Sequence, residues 1–408
     1  MKQQIKIYVS LILLVFMISS DDSAMAQTYQ FSQYYNSFQL LNPSYTGITG
    51  HRYRIGTISR LQWIGVPSQS SLPYSTMAVF GSWIFAHPQS NNQNLGKHSN
   101  TRNSFYSAGF AVIQNNQANG ALKSNTVMTS VSWVGRLGQD TYLSGGGEFN
   151  FNSIKLSDYV RVSDYLQGNN LPQAGEQVQY PNFSLGLTMV HKRLWLGVSI
   201  KDILASPSVK SFYTQDKGFY DQFNVHGGYS TRLKGTENLL LTSSFSFKTW
   251  NNLKQLEAGL GFVRAYQSGY SWSTTIAYRG YPIESQKLSN DDALIAILSF
   301  NSIPNSKKVT EGRVNMLGNT SISISSDFYS FQFGSAFSTW ELSLTYNAPY
   351  KKQRIVYCED YLHGPMAEQI TRNLYSGTPP FMKGSKRKSF SEQPAEDTGP
   401  RKRKRKSN

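Results

Sequence analysis

Residues 182–189 read Asn-Phe-Ser-Leu-Gly-Leu-Thr-Met, and this octet constrains the fold more than any other stretch of the chain. Successive side chains of a strand point to opposite faces. Phe183, Leu185, Leu187 and Met189 therefore share one greasy wall, while Asn182, Ser184, Gly186 and Thr188 share a small, polar one. The same two-faced pattern returns along most of the sequence. Neither the i, i+3, i+4, i+7 spacing of an amphipathic helix nor a run of 18 apolar residues interrupts it after the first 26 residues. A sheet with one face in hydrocarbon and the other lining a polar lumen carries this signature.

The first 26 residues read as an export signal. Lys2 and Lys6 precede a nearly unbroken apolar run at 7–18, and Ala24-Met25-Ala26 forms an A-x-A cleavage site. The run is too short for a comfortable membrane span, which takes about 20 residues. Cleavage there starts the mature chain at Gln27. The sequence is aromatic, with 25 Tyr, 23 Phe and 7 Trp, as aromatic girdles at two membrane interfaces require. A mean hydropathy of −0.41 fits a wall in which only alternate residues meet lipid. The single Cys358 excludes an internal disulfide framework and any cysteine-based metal cluster.

Alternating segments fall at 52–59, 74–84, 105–113, 125–136, 141–154, 181–191, 193–200, 222–232, 238–249, 254–265, 270–278, 293–301, 313–325 and 339–347. The expected fold is all-β: a transmembrane antiparallel β-barrel of about 14 strands, following an N-terminal signal peptide and followed by a basic, mostly disordered C-terminal tail. The expected divisions are signal peptide 1–26, a periplasmic segment or plug 27–50, barrel 51–350 and periplasmic tail 351–408. Short turns near 138–140, 191–193, 234–236 and 266–269 are interspersed with longer links near 155–179, 201–221, 281–290 and 327–338. Since outer-membrane barrels keep short turns on the periplasmic side, this parity puts both termini in the periplasm, with the long link 87–102 as an exception. Gly145, Gly147, Gly186, Gly259 and Gly261 fit a curved barrel wall better than the core of a β-sandwich, the main alternative architecture.

The start of the mature chain is the most specific stretch. Gln30-Phe31-Ser32-Gln33-Tyr34 is followed by Leu40-Leu41-Asn42-Pro43-Ser44-Tyr45-Thr46-Gly47. Further on come Arg60-Leu61-Gln62-Trp63-Ile64-Gly65, Leu196-Gly197-Val198-Ser199-Ile200-Lys201-Asp202, Tyr278-Arg279-Gly280-Tyr281-Pro282 and Trp340-Glu341-Leu342-Ser343-Leu344-Thr345-Tyr346. Taken in order, these resemble the motifs of the PorP/SprF family of the type IX secretion system in Bacteroidetes. The resemblance runs from about residue 27 to 350, and Tyr29, Ser44 and Thr46 replace residues common in the family. It implies a non-enzymatic outer-membrane barrel that supports export or surface attachment of specific cargo proteins, including in some members a gliding adhesin. Its implied partners are outer-membrane lipid, other secretion components of the periplasm and outer membrane, and a cargo protein. It implies no cofactor and no nucleic acid. A general porin or small-solute transport barrel is the second reading of the same strand pattern.

Within the opening motif, Asn42-Pro43 favours a turn, and Gly47 is a sharp-turn residue. Phe31, Gln33, Tyr34, Asn42, Pro43, Tyr45 and Gly47, with Gln62 and Trp63, form the candidate motif for a partner or a plug. This segment is too apolar to sit free in water; it plugs the lumen, packs on the barrel floor or docks a partner. Residues 351–408 carry 14 Lys and Arg against 6 Asp and Glu, a net +8 of the chain's +16. Arg401, Lys402 and Arg403 begin a cationic run suited to anionic headgroups or an acidic partner, and a solvated tail is the alternative. Met366, Ile370 and Leu374 recur four apart, as on one face of a short helix that contacts a periplasmic component.

The sequence shows no metal-ligand histidine pair, nucleophile elbow or phosphate loop. Gly145-Gly146-Gly147 reads as barrel curvature rather than a phosphate cradle. Glu148, Lys201, Glu257 and Glu341 fall on the expected lumen face, where such charges pair with one another.

Overall fold

The computed structural model describes residues 30–48, 53–64, 74–86, 104–117, 120, 122–137, 141–156, 177–191, 193–204, 222–233, 239–250, 253–266, 270–280, 293–302, 320–329 and 338–348. Fourteen strands are present among them: β1 (Tyr53–Ile64), β2 (Tyr74–Ala86), β3 (Ser104–Gln117), β4 (Leu122–Arg136), β5 (Thr141–Leu156), β6 (Gln177–His191), β7 (Leu194–Lys201), β8 (Gln222–Arg232), β9 (Leu239–Trp250), β10 (Leu253–Ala265), β11 (Tyr270–Gly280), β12 (Ala293–Ser302), β13 (Thr320–Tyr329) and β14 (Ser338–Ala348). Each pairs antiparallel with its neighbours in sequence, and β14 returns to β1, so the sheet closes into a barrel with no free edge.

The alternation of the sequence becomes the alternation of the wall. Along β7, Leu194, Leu196, Val198 and Ile200 point outward, while Trp195, Ser199 and Lys201 are buried inside. The octet of β6 divides as its pattern predicts, with Phe183, Leu185, Leu187 and Met189 outward. Tyr53, Trp83, Tyr106, Trp133 and Tyr229 are exposed on the outer surface towards the mouth where β1 starts, here the near mouth. Phe328 and Trp340 stand towards the opposite, far mouth. Aromatic rings at these two levels are what membrane interfaces hold.

Two expectations shift. β13 continues through Asp327 to Tyr329, where a link was expected, and residues 313–319 of the expected strand lie outside the described set. Asp327 is an inward residue paired with arginines two strands away on either side, so its charge does not break the strand. Link lengths also alternate less strictly than expected. Besides the anticipated long link at 87–103, the near mouth carries a second at 303–319, and the far mouth carries short ones at 118–121 and 251–252.

Residues 30–48 lie inside the barrel. A 3₁₀ turn at Tyr34–Asn36, a single helical turn at Phe38–Leu41 (α1) and a second 3₁₀ turn at Pro43–Tyr45 follow one another. Every residue of 31–48 is buried. The segment touches inward residues on strands all round the ring, from β1 and β14 to β5, β6 and β7.

Candidate functional site

The plug and the wall that grips it form the most developed arrangement of polar side chains among the described residues. A buried segment of 18 residues brings its backbone N–H and C=O groups into a space without bulk water, and each needs a partner. The short turns satisfy only some of them. The inward serines, threonines and asparagines of the strands meet many of the rest. Thr46 O accepts from Ser107 Oγ at 2.6 Å and from Ser132 Oγ at 2.5 Å. Ser44 O accepts from Ser144 Oγ at 2.6 Å, Leu41 O from Ser199 Oγ at 3.0 Å, and Leu40 O from the Lys201 ammonium. The small polar wall is thus, along these strands, the hydrogen-bonding complement of the plug.

Near the far mouth the plug meets a cluster of charge. Glu341 accepts Ser32 N at 2.6 Å on one oxygen and Gln33 N at 3.0 Å on the other. Arg60, its cross-strand partner in register, donates to Glu341 at 2.6 Å, to Ser32 Oγ at 2.9 Å and to Asp327 at 3.0 Å. Arg279 donates to Ser32 Oγ at 2.8 Å and to Asp327. The Ser32 hydroxyl in turn donates to Asp327 at 2.9 Å. Two guanidinium groups face two carboxylates, so the cluster is neutral, and all four side chains are at most 2% exposed. The geometry makes a latch, with the Ser32 hydroxyl at its centre and the Ser32 and Gln33 amides held by one carboxylate. Gln33 extends it: its Nε2 donates to Ser325 Oγ at 3.0 Å, and its Oε1 accepts from Ser343 Oγ at 2.6 Å.

The Asn-Pro turn sits against β5, β6 and β7. Asn42 Oδ1 caps the second 3₁₀ turn by accepting Ser44 N at 2.9 Å, and its Nδ2 donates to Val198 O at 3.0 Å. Gly146 and Gly186 stand opposite each other in the β5–β6 register at this point. A Cβ on Gly186 would lie 1.8 Å from Asn42 Oδ1, and one on Gly146 would lie 2.5 Å from Pro43 O. These two glycines make room for the plug; of the sequence-level reading as wall curvature, only Gly145 is left with nothing within 4 Å of its Cβ position. Gly47, at φ +68°, takes the left-handed turn anticipated for it and would press a Cβ against Ser107 at 2.3 Å.

Apolar packing completes the fit. Phe31 and Leu40 cluster with Ile58, Ala78, Phe80, Ala111, Ile113 and Met128, an apolar inward patch on β1–β4. Phe38 packs on Tyr45 at 4.8 Å and edge-on to Trp195 at 5.4 Å between ring centroids. Of the motif residues picked from sequence, Phe31, Gln33, Tyr34, Asn42, Pro43, Tyr45 and Gly47 come together in the plug. Gln62 is half-buried on β1, two residues beyond Arg60, and Trp63 belongs to the far-mouth end of the same strand. Met366, Ile370, Leu374, Arg401, Lys402 and Arg403 lie outside the described residues. Three of the four expected lumen charges pair, Lys201 standing 3.8 Å from Glu148 and Glu341 bonding Arg60, while both carboxylate oxygens of Glu257 are buried without a hydrogen-bond partner among the described residues. Sequence reasoning missed Ser32, Arg60, Arg279 and Asp327 as a unit, although Arg60 and Arg279 lie within the quoted motifs and Glu341 had been assigned to the lumen.

A closed antiparallel ring with an apolar outer face and an internal plug defines a transmembrane β-barrel of the outer-membrane class. The family profile described as type IX secretion system membrane protein PorP/SprF matches residues 23–346. The chain belongs to that family, as the ordered motifs implied, and is an outer-membrane barrel component of type IX secretion. Several solved structures align with the chain at low identity. A TodX deltaS2S3 mutant monoaromatic hydrocarbon channel aligns at 9% identity and a TM-score of 0.46 over 80% of this chain and 97% of its own. A FadL homologue of Pseudomonas aeruginosa aligns at 12% and 0.41 over 75% and 92%. Omp33 of Acinetobacter baumannii aligns at 8% and 0.38 over 73% and 98%. No curated protein sequence matches the chain significantly.

Proposed function

We propose that the protein is a plugged, non-enzymatic barrel that supports export or surface attachment of specific cargo proteins, with gliding adhesins among the candidate cargoes. The observation that carries this reading is the latched plug. A diffusion pore needs an unobstructed lumen, whereas this lumen holds 18 consecutive buried residues tied at one end by a neutral charge cluster. The burial of the opening motif supports a structural role for those residues over a direct partner contact. Orientation follows the link lengths. Four of the six near-mouth links have six residues or fewer, against two of the seven far-mouth links, which favours the near mouth as periplasmic. The chain after β14 then starts on the periplasmic side, where its basic runs and the Met366, Ile370 and Leu374 spacing suit contact with lipid headgroups or a secretion component.

The test is deletion of the gene with comparison of surface and secreted proteomes. Loss of a defined subset of exported proteins is expected, with restoration on complementation. Unchanged surface and secreted fractions would overturn the reading.

A further inference from the structure

We infer that the N-terminal end of the mature chain is presented at the far mouth, opposite the mouth where the chain leaves β14, so that the two ends of this protein serve opposite sides of the membrane. This parts from the sequence-based expectation that both termini share one side. The inference rests on the polarity of the plug. Its first residues engage the far-mouth ends of strands: the Gln30 amide bonds Gln255, the third residue of β10 from that mouth, and Ser32 bonds Asp327 and Glu341. Its last residues lie at the near mouth, where Ile48 shares an apolar cluster that includes Phe105, Val134 and Tyr142, Thr46 O accepts from Ser107 Oγ, and Gly47 abuts Ser107. The plug thus runs the length of the lumen towards the start of β1.

Tether length decides where the free end can go. Cleavage at the A-x-A site leaves three residues ahead of Gln30, and these reach at most about 11 Å. From Gln255 to the near-mouth end of β10 is ten residues, about 34 Å along the strand and roughly 26 Å along the barrel axis at a tilt of about 40°. The N-terminal end cannot return to the near mouth past the plug, whose residues fill that path buried against the wall. It is held instead beside the latch, where a protein on the far-mouth side meets it.

The single native cysteine makes the test direct. In a Cys358→Ser background, Gln30→Cys with Gln255→Cys should be bridged by a short bifunctional thiol cross-linker that spans the gap the two long side chains close end to end, seen as a linked peptide pair after proteolysis. Three single-cysteine variants then compare accessibility to a charged methanethiosulfonate in intact cells and in cells with a permeabilised outer membrane. Gln177→Cys and His191→Cys mark the far and near ends of the same strand, both at exposed positions. Gln30→Cys should label with the Gln177→Cys pattern. Labelling with the His191→Cys pattern, or absence of the linked pair in folded barrel, overturns the inference. Which reporter reacts in intact cells tests the membrane orientation separately: if only His191→Cys reacts, that orientation fails, while the opposition of the two ends stands or falls on the pairing alone. Mass spectrometry of the mature N-terminus checks the cleavage site, and a chain retaining its leader overturns the tether argument.

Discussion

At the scale of single residues, three adjacent glycines do different work. Gly145 faces outward into open space, Gly146 faces the plug backbone, and a Cβ on Gly147 would lie 3.5 Å from the Phe183 ring. Gly145→Ala should therefore be silent, whereas Gly146→Ala puts a methyl against the backbone of Pro43 and Ser44 and has to displace the turn. Hydrogen–deuterium exchange over 38–48 should rise several-fold in the second variant and stay unchanged in the first. The latch gives a sharper energetic prediction. Glu341→Gln keeps the shape but leaves two buried guanidinium groups facing one carboxylate, which should destabilise the barrel by about 3–5 kcal/mol. The readout is the urea midpoint of unfolding in detergent or lipid. Little of this is visible from local sequence. Ser32 and Glu341 are 309 positions apart, and neither residue's neighbours announce the other.

At the scale of the strand, the outer face follows one rule. Leu260, near the middle of β10, is 60% exposed on the protein surface and therefore meets hydrocarbon. Leu260→Arg should cost about 2–4 kcal/mol in reversible folding into lipid, because it carries a charge to the bilayer interior. This rule is why the strands could be read from sequence. Along β12, outward Leu294, Leu298 and Phe300 alternate with buried neighbours without a break, so the period of two is plain. Reading faltered where an inward position holds a charge. Asp327-Phe328-Tyr329 looks like the start of a link because Asp is rare in strands, and only the arginines of β1 and β11 explain its place. The plug was legible as an apolar, turn-rich segment, but its seat was not: a small inward residue reads the same whether it faces water or a backbone carbonyl.

At the scale of the whole molecule, the barrel is filled rather than lined. Polar contacts tie the plug to β1, β2, β3, β4, β5, β6, β7, β13 and β14. The intact protein in planar bilayers should accordingly lack the large, stable conductance of a porin, and a steady open level in the unmodified protein would favour the transport reading. The latch is electrically neutral and almost fully buried, so this closed behaviour should persist from low to high salt, where exposed ion pairs are screened.

The Arg60–Glu341 pair also bridges β1 and β14, the two strands whose meeting shuts the ring. Glu341 arrives on the last strand of the barrel, and its carboxylate accepts the amides of residues made before the first. One carboxylate therefore serves both the seam and the seated plug. A barrel that joined its edges with the lumen empty would keep the Arg60–Glu341 pair but leave Glu341 without the two amides it accepts from the plug, which couples seating of the plug to closure of the ring.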